Sequence, residues 1–492
     1  MRMRYLVAAG FVTMFITGSA LRHGRAGQII VGDDASLKGA VAAAEDGDEI
    51  LIRPGTYDGG ITRSGLTGVT IRSLDPDNPA VIDASSRNEG LRFYAANRVT
   101  VANLVVENAK DNGILFGYDE QGQSQHITLR NLIVRNVGSD GNQDGIKLSS
   151  VSYFHVDRVQ IVDWGNGTGA AIDFNGSEHG LVENSYFEDE FPVDNKGMVI
   201  KNARDIVDRA NRFVHGGSRP LQLGGWLPDP NEVAAVDVVA EGNVVIGSPD
   251  PVTYVNVDGN VRARRNVIYR PGGRVVRISK ESPDLTTGLK PQDGEFTDNI
   301  IIWEQGDISQ FVKSSDWSLP ETFVFARNQW FNRTEPSNSV PELPSKEADG
   351  VYGVDPQIDI EGVVSWKFDW GLWLVNANFD AKSFRVDRPE LFTLAVPGEG
   401  AELDFDQPNP LVGNWTLEPV GSPEIHVPPF SQAVLIQVPE PSSGVLLIVG
   451  GMVGAVILLV FVAVRMRRNP HVLTAPIARL PGADSLSQST RE

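Results

Sequence analysis

One pattern decides the fold: it reads NRVTVANLVVEN at 97–108, QHITLRNLIVRN at 125–136 and YFHVDRVQIVDW at 153–164. Each copy is a short strand of alternating apolar and polar residues, an interruption that is usually Asn, and further apolar residues. Further copies read HGLVENSYFED (179–189), RDIVDRANRFV (204–214), VDVVAEGNVVI (236–246), VRARRNVIY (261–269), GEFTDNIII (294–302) and TFVFARNQWF (322–331). Most steps are about 27 residues. This period without a helical pattern predicts a solenoid whose repeats bury their apolar faces against their neighbours.

The interrupting residue recurs once per repeat. It is Asn at 103, 131, 184, 211, 243, 266, 299 and 328, and Arg158 fills the remaining slot. In stacked coils such residues form a column, so we expect each Asn amide to bond the amide or backbone of the next coil. This column is predicted to be architectural.

A second series of strands lies between these copies. Its members are NGILFG (112–117), DGIKLSS (144–150), AAIDFNG (170–176), KGMVIKN (196–202), RPLQLGG (219–225) and VVRISK (275–280). Both series alternate at period two, and no helix separates them, which excludes a βαβ sheet. The chain is therefore predicted to be all-β, a parallel β-helix whose coils stack about 4.8 Å apart.

The segment SLKGAVAAAEDGDEILIRPGTYDGG (36–60) is similar to the N-terminal cap of the right-handed parallel β-helix, pectate-lyase-like superfamily. The resemblance covers roughly residues 28–333. It implies a right-handed solenoid over about 27–335, with a short cap helix near Leu37–Ala44 that closes the open end of the core. These folds host lyases, hydrolases, epimerases, adhesins and non-catalytic proteins, so the fold alone does not decide the function.

The first 26 residues indicate a secretory signal peptide, because Arg2 and Arg4 precede an apolar run and small residues. We therefore expect export, and the absence of cysteine means that the fold uses no disulfide.

The other end of the chain predicts a membrane anchor. The apolar run 444–464 is about 31 Å long as a helix, enough for one transmembrane span, and the basic cluster RMRR (465–468) predicts that the tail 469–492 is cytoplasmic. With Pro439, Glu440 and Pro441 before it, the segment 438–468 resembles the PEP-CTERM sorting signal of Gram-negative bacteria. That resemblance implies an exosortase as partner and a protein of the cell envelope, either anchored in the inner membrane or sorted to the outer surface. A plain single-pass anchor is the alternative. Residues 336–437 are predicted to be a linker followed by a C-terminal cap or a small β accessory region.

The net charge and its distribution along the chain limit the classes of molecule that the protein could bind. The net charge of −20 argues against nucleic acid. Two stretches, 196–219 and 260–280, are nevertheless rich in basic residues: Lys196, Lys201, Arg204, Arg209, Arg212 and Arg219, then Arg262, Arg264, Arg265, Arg270, Arg274, Arg277 and Lys280. A basic belt on one continuous face of an acidic protein would suit an anionic polysaccharide. Arginines that simply solvate the coils are the alternative.

Aligning the second series on its inward residues predicts a patch of candidate binding and catalytic groups. The alignment places Ile146, Ile172, Met198 and Leu221 in one inward column. The patch then contains Asp144, Lys147, Asp173, Asn175, Lys196, Lys201 and Arg219. Neighbouring coils carry opposite charges, so a structural ladder of salt bridges is the alternative.

The stretch KGMVIKNARDIVDRANRFVHGGSRPLQLGG (196–225) is similar to the segment of alginate lyases and chondroitinase B that carries a catalytic Lys and, one coil later, an Arg followed by His-Gly. The resemblance implies that Lys201 is the base and Arg219 the second basic group, and that Ca²⁺ is a cofactor if the protein is a lyase. Leu223, Gly224 and Gly225 stand where the family has Arg-His-Gly, and Arg219 lies four residues early. Asp144 with Gly145 also resembles a polygalacturonase motif, which keeps hydrolysis as a further alternative.

Three functions follow from these features. The first is an exported surface protein that binds an anionic exopolysaccharide, with the patch residues as its contacts. The second is a polysaccharide lyase that removes the C5 proton of a uronate with a Lys base. The third is a non-catalytic structural or adhesive scaffold, which a patch closed by salt bridges and without a groove would favour.

Overall fold

The computed structural model describes residues 27–437, apart from 140, 190–193, 363, 369–370, 377–380, 387–388, 398–400, 406, 408–409, 421 and 429–430. The predicted signal peptide, the sorting motif Pro439, Glu440 and Pro441, the apolar run 444–464 and the tail 469–492 lie outside these residues. Within the described residues, no helix is long and apolar enough to cross a membrane.

The chain folds into a right-handed-type parallel β-solenoid of about 11 turns. One 22-stranded sheet forms most of its wall, and every pairing in this sheet is parallel. Its strands are Gln28–Val31, Glu49–Ile52, Thr56–Asp58, Thr70–Ser73, Ala80–Asp83, Asn97–Ala102, Leu104–Glu107, Ser124–Val137, Val151–Trp164, Glu178–Glu183, Tyr186–Glu188, Ala203–Arg209, Arg212–Val214, Ala235–Glu241, Val244–Ile246, Val261–Arg264, Val267–Tyr269, Glu295–Thr297, Ile300–Trp303, Val324–Ala326, Gln329–Asn332 and Val351–Tyr352. The strands of the first series form this wall. Because their side chains alternate in direction, every second residue points to the core, and these residues are mostly apolar.

The second series forms a separate ten-stranded parallel sheet. Its strands are Ile61–Ser64, Leu91–Tyr94, Ile114–Gly117, Ile146–Ser149, Ala170–Asn175, Lys196–Lys201, Arg219–Gly224, Val252–Val255, Arg274–Ser279 and Gln310–Ser314. All six predicted strands belong to it. The other four were not predicted from the sequence pattern. One of them, Val252–Val255, has no exposed face, since all four residues are buried.

A helix at Asp34–Ala43 lies at the start of the solenoid. Asp33 caps it by accepting a hydrogen bond from the backbone of Ser36, and Leu37, Ala40 and Val41 are buried in the solenoid core. The strand Gln28–Val31 precedes this helix and pairs with Glu49–Ile52, so the parallel sheet begins before the helix. The core runs as one apolar cluster from this end to Trp330.

The predicted Asn column is in fact two adjacent columns. Five fully buried residues form a continuous amide ladder: Asn211, Asn243, Asn266, Asn299 and Asn328. In each step the backbone N–H donates to the next side-chain oxygen, as Asn243 N does to Asn266 Oδ1 at 3.0 Å. The ladder satisfies buried backbone groups where the wall bends, which is an architectural role.

The earlier members lie one position before this ladder. Asn103, Asn131, Arg158 and Asn184 have φ angles of 54°, 51°, 52° and 55° and form a corner in the left-handed region. The register pairs Tyr186 with Arg212, so Ser185, rather than Asn184, stands opposite Asn211. Asn suits this corner because its short polar side chain tolerates the left-handed conformation.

Residues after the solenoid form antiparallel β-structure. A five-stranded sheet contains Val364–Phe368, Gly371–Asn376, Phe392–Pro397, Trp415–Pro419 and Ser431–Gln437; two-stranded pairs are formed by Lys382–Arg385 with Glu424–Val427 and by Glu402–Leu403 with Leu411–Val412. Short 3-10 turns lie at Pro320–Thr322, Pro336–Asn338 and Pro389–Leu391.

This C-terminal sheet packs against the side of the solenoid. Trp373, with its side chain fully buried, shares an apolar cluster with Ala210, Val244 and Val267 of the coils. Trp373 is the reason that Gly242 must be glycine: a Cβ there would lie 2.1 Å from the indole, and φ is +64°. Buried tryptophan therefore holds the two parts of the chain together.

Candidate functional site

The structure brings the predicted patch together on the outer face of the ten-stranded sheet. Lys147 pairs with Asp173 and Ser149 with Asn175 across the strands Ile146–Ser149 and Ala170–Asn175. The next strand places Lys196 beside Ala170 and Lys201 beside Asn175, and Arg219 follows beside Lys196. Six of the seven predicted residues use their side chains in hydrogen bonds or ion pairs with other coils; they are Asp144, Lys147, Asp173, Lys196, Lys201 and Arg219.

Asp173 connects two lysines. Its Oδ2 atom lies 2.7 Å from Lys147 Nζ and 3.0 Å from Lys201 Nζ. The other carboxylate oxygen, Oδ1, is buried without a hydrogen-bond partner. The Asp173 side chain is 5% exposed, and the two lysine side chains are 25% and 28% exposed. Lys201 is therefore held in an ion pair at the position where the lyase resemblance implies a free base.

Asp144 is the most deeply buried acid of the patch. It accepts hydrogen bonds from Ala170 N at 2.9 Å and from Lys147 Nζ at 2.9 Å. Burial, with the neighbouring Asp173 carboxylate, raises the pKa of Asp144 to about 6, although Lys147 opposes the shift. The same two carboxylates hold the pKa of Lys147 above its usual range against the opposing effect of burial.

Lys196 differs from its neighbours because it is only weakly paired. Among the described residues, the nearest carboxylate oxygen is Asp194 Oδ2 at 4.0 Å. The Nζ atom donates to the carbonyl of Thr168 at 3.2 Å. Ala170 precedes it in the column and offers no side chain beyond Cβ, which leaves a gap between Lys196 and Asp144. Burial lowers the pKa of Lys196 below its ordinary value.

Arg219 reaches diagonally across the same face. Its Nη1 atom donates to Gln222 Oε1 at 3.1 Å and to Glu281 Oε1 at 2.9 Å. Gln222 pairs with Thr253 of the next strand, and Glu281 follows the strand after that, Arg274–Ser279. The guanidinium thus links its own strand, through Gln222, to Glu281, which lies two coils further along the solenoid. Asn175, the seventh predicted residue, is partly exposed at the edge of the sheet.

The face continues beyond the predicted patch. Arg274 Nη1 lies 2.6 Å and Arg277 Nη1 3.3 Å from the carboxylate of Asp250, which is 5% exposed at its side chain. Lys313 extends the outward column after Arg277. The sequence analysis missed Asp250 because it did not recognise the strand Val252–Val255, which would have extended the alignment to this coil.

We call this outer surface the cationic face. It consists of Asp144, Lys147, Asp173, Lys196, Lys201, Arg219, Asp250, Arg274, Arg277, Glu281 and Lys313. Seven of these side chains are basic and four are acidic; with Asp194, whose carboxylate lies 4.0 Å from Lys196 Nζ, the local excess is two positive charges. The chain as a whole has a net charge of −20, so the net charge of this face is opposite in sign to that of the chain.

The predicted basic belt is not one continuous face, so that expectation was wrong. Arg274, Arg277 and the second-sheet lysines share the cationic face. Arg264 and Arg265 lie on the 22-stranded sheet and pair with Glu241 at 2.9 and 3.5 Å. Arg209 and Arg212 are buried against the C-terminal segment: Arg209 donates to the carbonyl of Leu403, and Arg212 pairs with Glu361. The reason is geometric, since consecutive strands of a coil face different directions.

The residues of the cationic face do not fit the Ca²⁺ site that the lyase resemblance implies. Calcium requires six to eight oxygen ligands. Here the two carboxylates that could share an ion, Asp144 and Asp173, already share the ammonium group of Lys147. A lysine therefore supplies the positive charge that a metal ion would supply between these carboxylates.

A second cluster of potential metal ligands lies on the other sheet. His155 Nε2 and carboxylate oxygens of Asp157 and Glu183 lie within 4.8 Å of one another. His155 is 3.1 Å from Glu183, and Asp157 lies 2.5 Å from Arg158 Nη2. Gln432 of the C-terminal sheet also donates to Glu183 at 2.9 Å. These contacts assign the cluster to attachment of the C-terminal sheet.

A cavity of about 640 Å³ lies beside this cluster, between the solenoid and the C-terminal sheet. Tyr153, His179 and Trp415 are among its lining residues. The rings of His126, Tyr153 and His179 stack on one another at 5.0 and 4.7 Å, so neighbouring side chains cover both faces of Tyr153. The histidines that occupy equivalent positions in the sequence repeats are therefore part of an aromatic column.

No family model matches the chain, and no curated protein matches it. Solved structures with similar folds include an alginate lyase from Paenibacillus sp. str. FPU-7, at 16% identity over 66% of this chain and 95% of that chain, with a TM-score of 0.36. Another is tailspike protein gp49 from Acinetobacter baumannii bacteriophage Fri1, a capsular polysaccharide depolymerase (11% identity, 84% and 85% coverage, TM-score 0.42). Pectate lyase Pel9A is a third (17% identity, 59% and 73% coverage, TM-score 0.33). At these identities the likeness concerns the fold alone.

Proposed function

We propose that the cationic face binds an anionic polysaccharide and that the protein is an exported protein of the cell envelope. The observation that carries this proposal is the local excess of two positive charges on a strongly acidic chain. Lys196 supplies the central cation, since its nearest described carboxylate is 4.0 Å away. In the register of the parallel strands Lys196 and Arg219 are one coil apart, about 4.8 Å, and Arg274 follows two coils after Arg219, which presents spaced cations to an extended polymer.

The scaffold alternative accounts for only part of the face. The carboxylates of Asp144 and Asp173 offset Lys147 and Lys201, and Glu281 offsets Arg219. Asp250 is shared by Arg274 and Arg277, so one carboxylate faces two guanidinium groups. Lys313 and half of this arginine pair remain as surplus charge, and Lys196 is offset only by Asp194 at 4.0 Å. A purely structural ladder needs no such surplus.

Lyase activity is the second candidate, and one observation favours it. Lys196 has a pKa lowered by burial and stands directly beside Arg219 in the next coil. A neutral Lys196 amine could take the C5 proton of a uronate while Arg219 neutralises the carboxylate, and the glycosidic oxygen at C4 would leave. In this candidate Lys196 has the role that the sequence resemblance gives to Lys201, because Lys201 is paired with Asp173.

Binding is tested with the purified full-length chain in detergent, titrated with polygalacturonate and alginate at several salt concentrations. We expect affinity that falls as salt rises, and no affinity for neutral dextran. Lys196→Ala should weaken binding, whereas Lys346→Ala, which removes an exposed lysine outside the face, should not. Absence of salt-dependent binding to any polyuronate overturns the proposal. Absorbance of an unsaturated uronate product in the same mixtures decides whether the parent is also a lyase.

A further inference from the structure

Two loops leave the same edge of the ten-stranded sheet and are joined to each other. The first follows Arg219–Gly224, and the second follows Arg274–Ser279. Leu227 N donates to the carbonyl of Glu281 at 3.3 Å, and Leu289 N donates to the carbonyl of Pro230 at 2.8 Å. These bonds build a wall along one side of the cationic face.

The side chain of Trp226 projects from this wall into solvent. The residue is 54% exposed, although the backbone on both sides of it is fixed. Before it, the carbonyl of Gly225 accepts a hydrogen bond from Asn256 Nδ2 at 2.9 Å, and the same Asn256 amide group donates to the carbonyl of Glu281 at 2.6 Å. After it, Leu227 is bonded to Glu281. Hydrogen bonds on both sides therefore fix the backbone at Trp226, while its side chain remains exposed.

The position of Trp226 relates it to the charges of the face. A Cβ built on Gly225 would lie 2.7 Å from Lys201 Cβ, so this backbone abuts the lysine. Glu281, which is bonded to the backbone next to Trp226, receives the guanidinium of Arg219 at 2.9 Å. The backbone on the two sides of the exposed Trp226 thus lies against Lys201 and against Glu281, the residue that pairs with Arg219.

An indole beside cations selects a particular kind of ligand. A pyranose ring offers an apolar C–H face that packs on an aromatic ring, while its carboxylate or sulfate groups reach basic side chains at the ring edge. A flexible polyanion without rings, such as polyphosphate, can use only the charges. A single exposed apolar residue is common on protein surfaces, but the backbone of this one borders the cationic face.

We propose that Trp226 is a stacking position for a pyranose unit, so that the ligand of the cationic face is an acidic glycan and not polyanions in general. This inference rests on the proposed function, because it names the chemical class of ligand for the same face. It adds a specificity-determining residue that lies outside the predicted patch.

The test compares Trp226→Ala, Trp226→Phe and the parent, each titrated with polygalacturonate and with inorganic polyphosphate at one salt concentration. Trp317→Ala is the matched control, because Trp317 is also exposed, at 36%, in the loop after Gln310–Ser314. We expect Trp226→Ala to weaken polygalacturonate binding about fivefold, the scale of one aromatic contact, and to leave polyphosphate binding unchanged. Trp226→Phe should retain most of the affinity, and Trp317→Ala all of it.

The outcomes separate this inference from the proposed function. If the parent binds polygalacturonate and Trp226→Ala binds it equally well, the stacking position is wrong and the cationic face stands. Equal losses for both polyanions would assign Trp226 a role in local structure and overturn the inference. If the parent binds neither polyanion, both proposals fail.

Discussion

Lys201 Nζ lies 3.0 Å from Asp173 Oδ2, and this one contact decides how the site is interpreted. The same oxygen accepts from Lys147. The Asp173 carboxylate compensates the charge of the Lys201 ammonium group. Lys201 is therefore neither a free general base nor fully available to bind an anion. Lys196 and the arginines of the following coils, with their surplus charge, therefore carry the proposed binding.

Removal of the Asp173 charge should strengthen polyanion binding while it weakens the fold. In Asp173→Asn, Lys147 keeps Asp144, and Lys201 loses its carboxylate. We expect affinity for polygalacturonate to rise about threefold, and the free energy of unfolding to fall by about 2 kcal/mol because a largely buried ion pair is broken. Titration and urea denaturation measure the two effects. Asp298→Asn is the control, because it removes an equal charge that pairs with Arg327 on the other sheet. Weaker binding in Asp173→Asn would contradict the account.

Binding should depend on the ionisation of Asp144. Burial raises its pKa to about 6, so the carboxyl is mostly neutral below pH 6 and mostly charged above it. The positive excess of the face is therefore larger at pH 5 than at pH 8, and affinity for a polyuronate should rise as pH falls through 6. Asp144→Asn should remove most of this dependence and keep high affinity at pH 8. A parent profile that is flat, or that slopes the other way, speaks against the assignment.

The Asn ladder should dominate stability in the second half of the solenoid. Asn266→Ala deletes the oxygen that accepts from both the backbone and the side chain of Asn243, at 3.0 and 3.1 Å. Leaving these buried donors unsatisfied should lower the free energy of unfolding by about 3 kcal/mol, measured by denaturant titration. Asn131→Gly is the comparison, because Asn131 is an exposed corner residue with φ of 51° that glycine adopts easily. Similar small changes in both variants would show that the ladder is dispensable.

Particular residues show which parts of the fold and of the site could be predicted from the sequence. Strict alternation fixed the register of Ile146, Ile172, Met198 and Leu221, because a slip by one residue would turn every side chain to the other face. The Asn column was misassigned at one step, where a spacing of 27 residues suggested Asn184 opposite Asn211 and the real step pairs Ser185 with Asn211. Trp226 and Glu281 could not be predicted as part of the face. They lie in irregular loops, and only hydrogen bonds between coils bring them to it.

Attachment of the C-terminal sheet should depend on Gly242. A methyl group at this position would meet the Trp373 indole at 2.1 Å. We expect Gly242→Ala to loosen the sheet, so that limited proteolysis cuts the connector 353–362 several times faster. Gly259→Ala carries a similar backbone penalty, with φ of +72°, but its Cβ would meet only Asp293 Cβ, at 3.9 Å. Equal cleavage of the two variants would mean that Trp373 does not hold the sheet in place.

The central claim is that the cationic face is where the polysaccharide binds, and lysine-reactive footprinting tests it most directly. The full-length chain is acylated with and without polygalacturonate, and each lysine is quantified by mass spectrometry. We predict protection of Lys196, Lys201 and Lys313, with unchanged labelling of Lys110 and Lys346, which are exposed elsewhere. Protection of Lys110 or Lys346 while Lys196 stays reactive would contradict the claim.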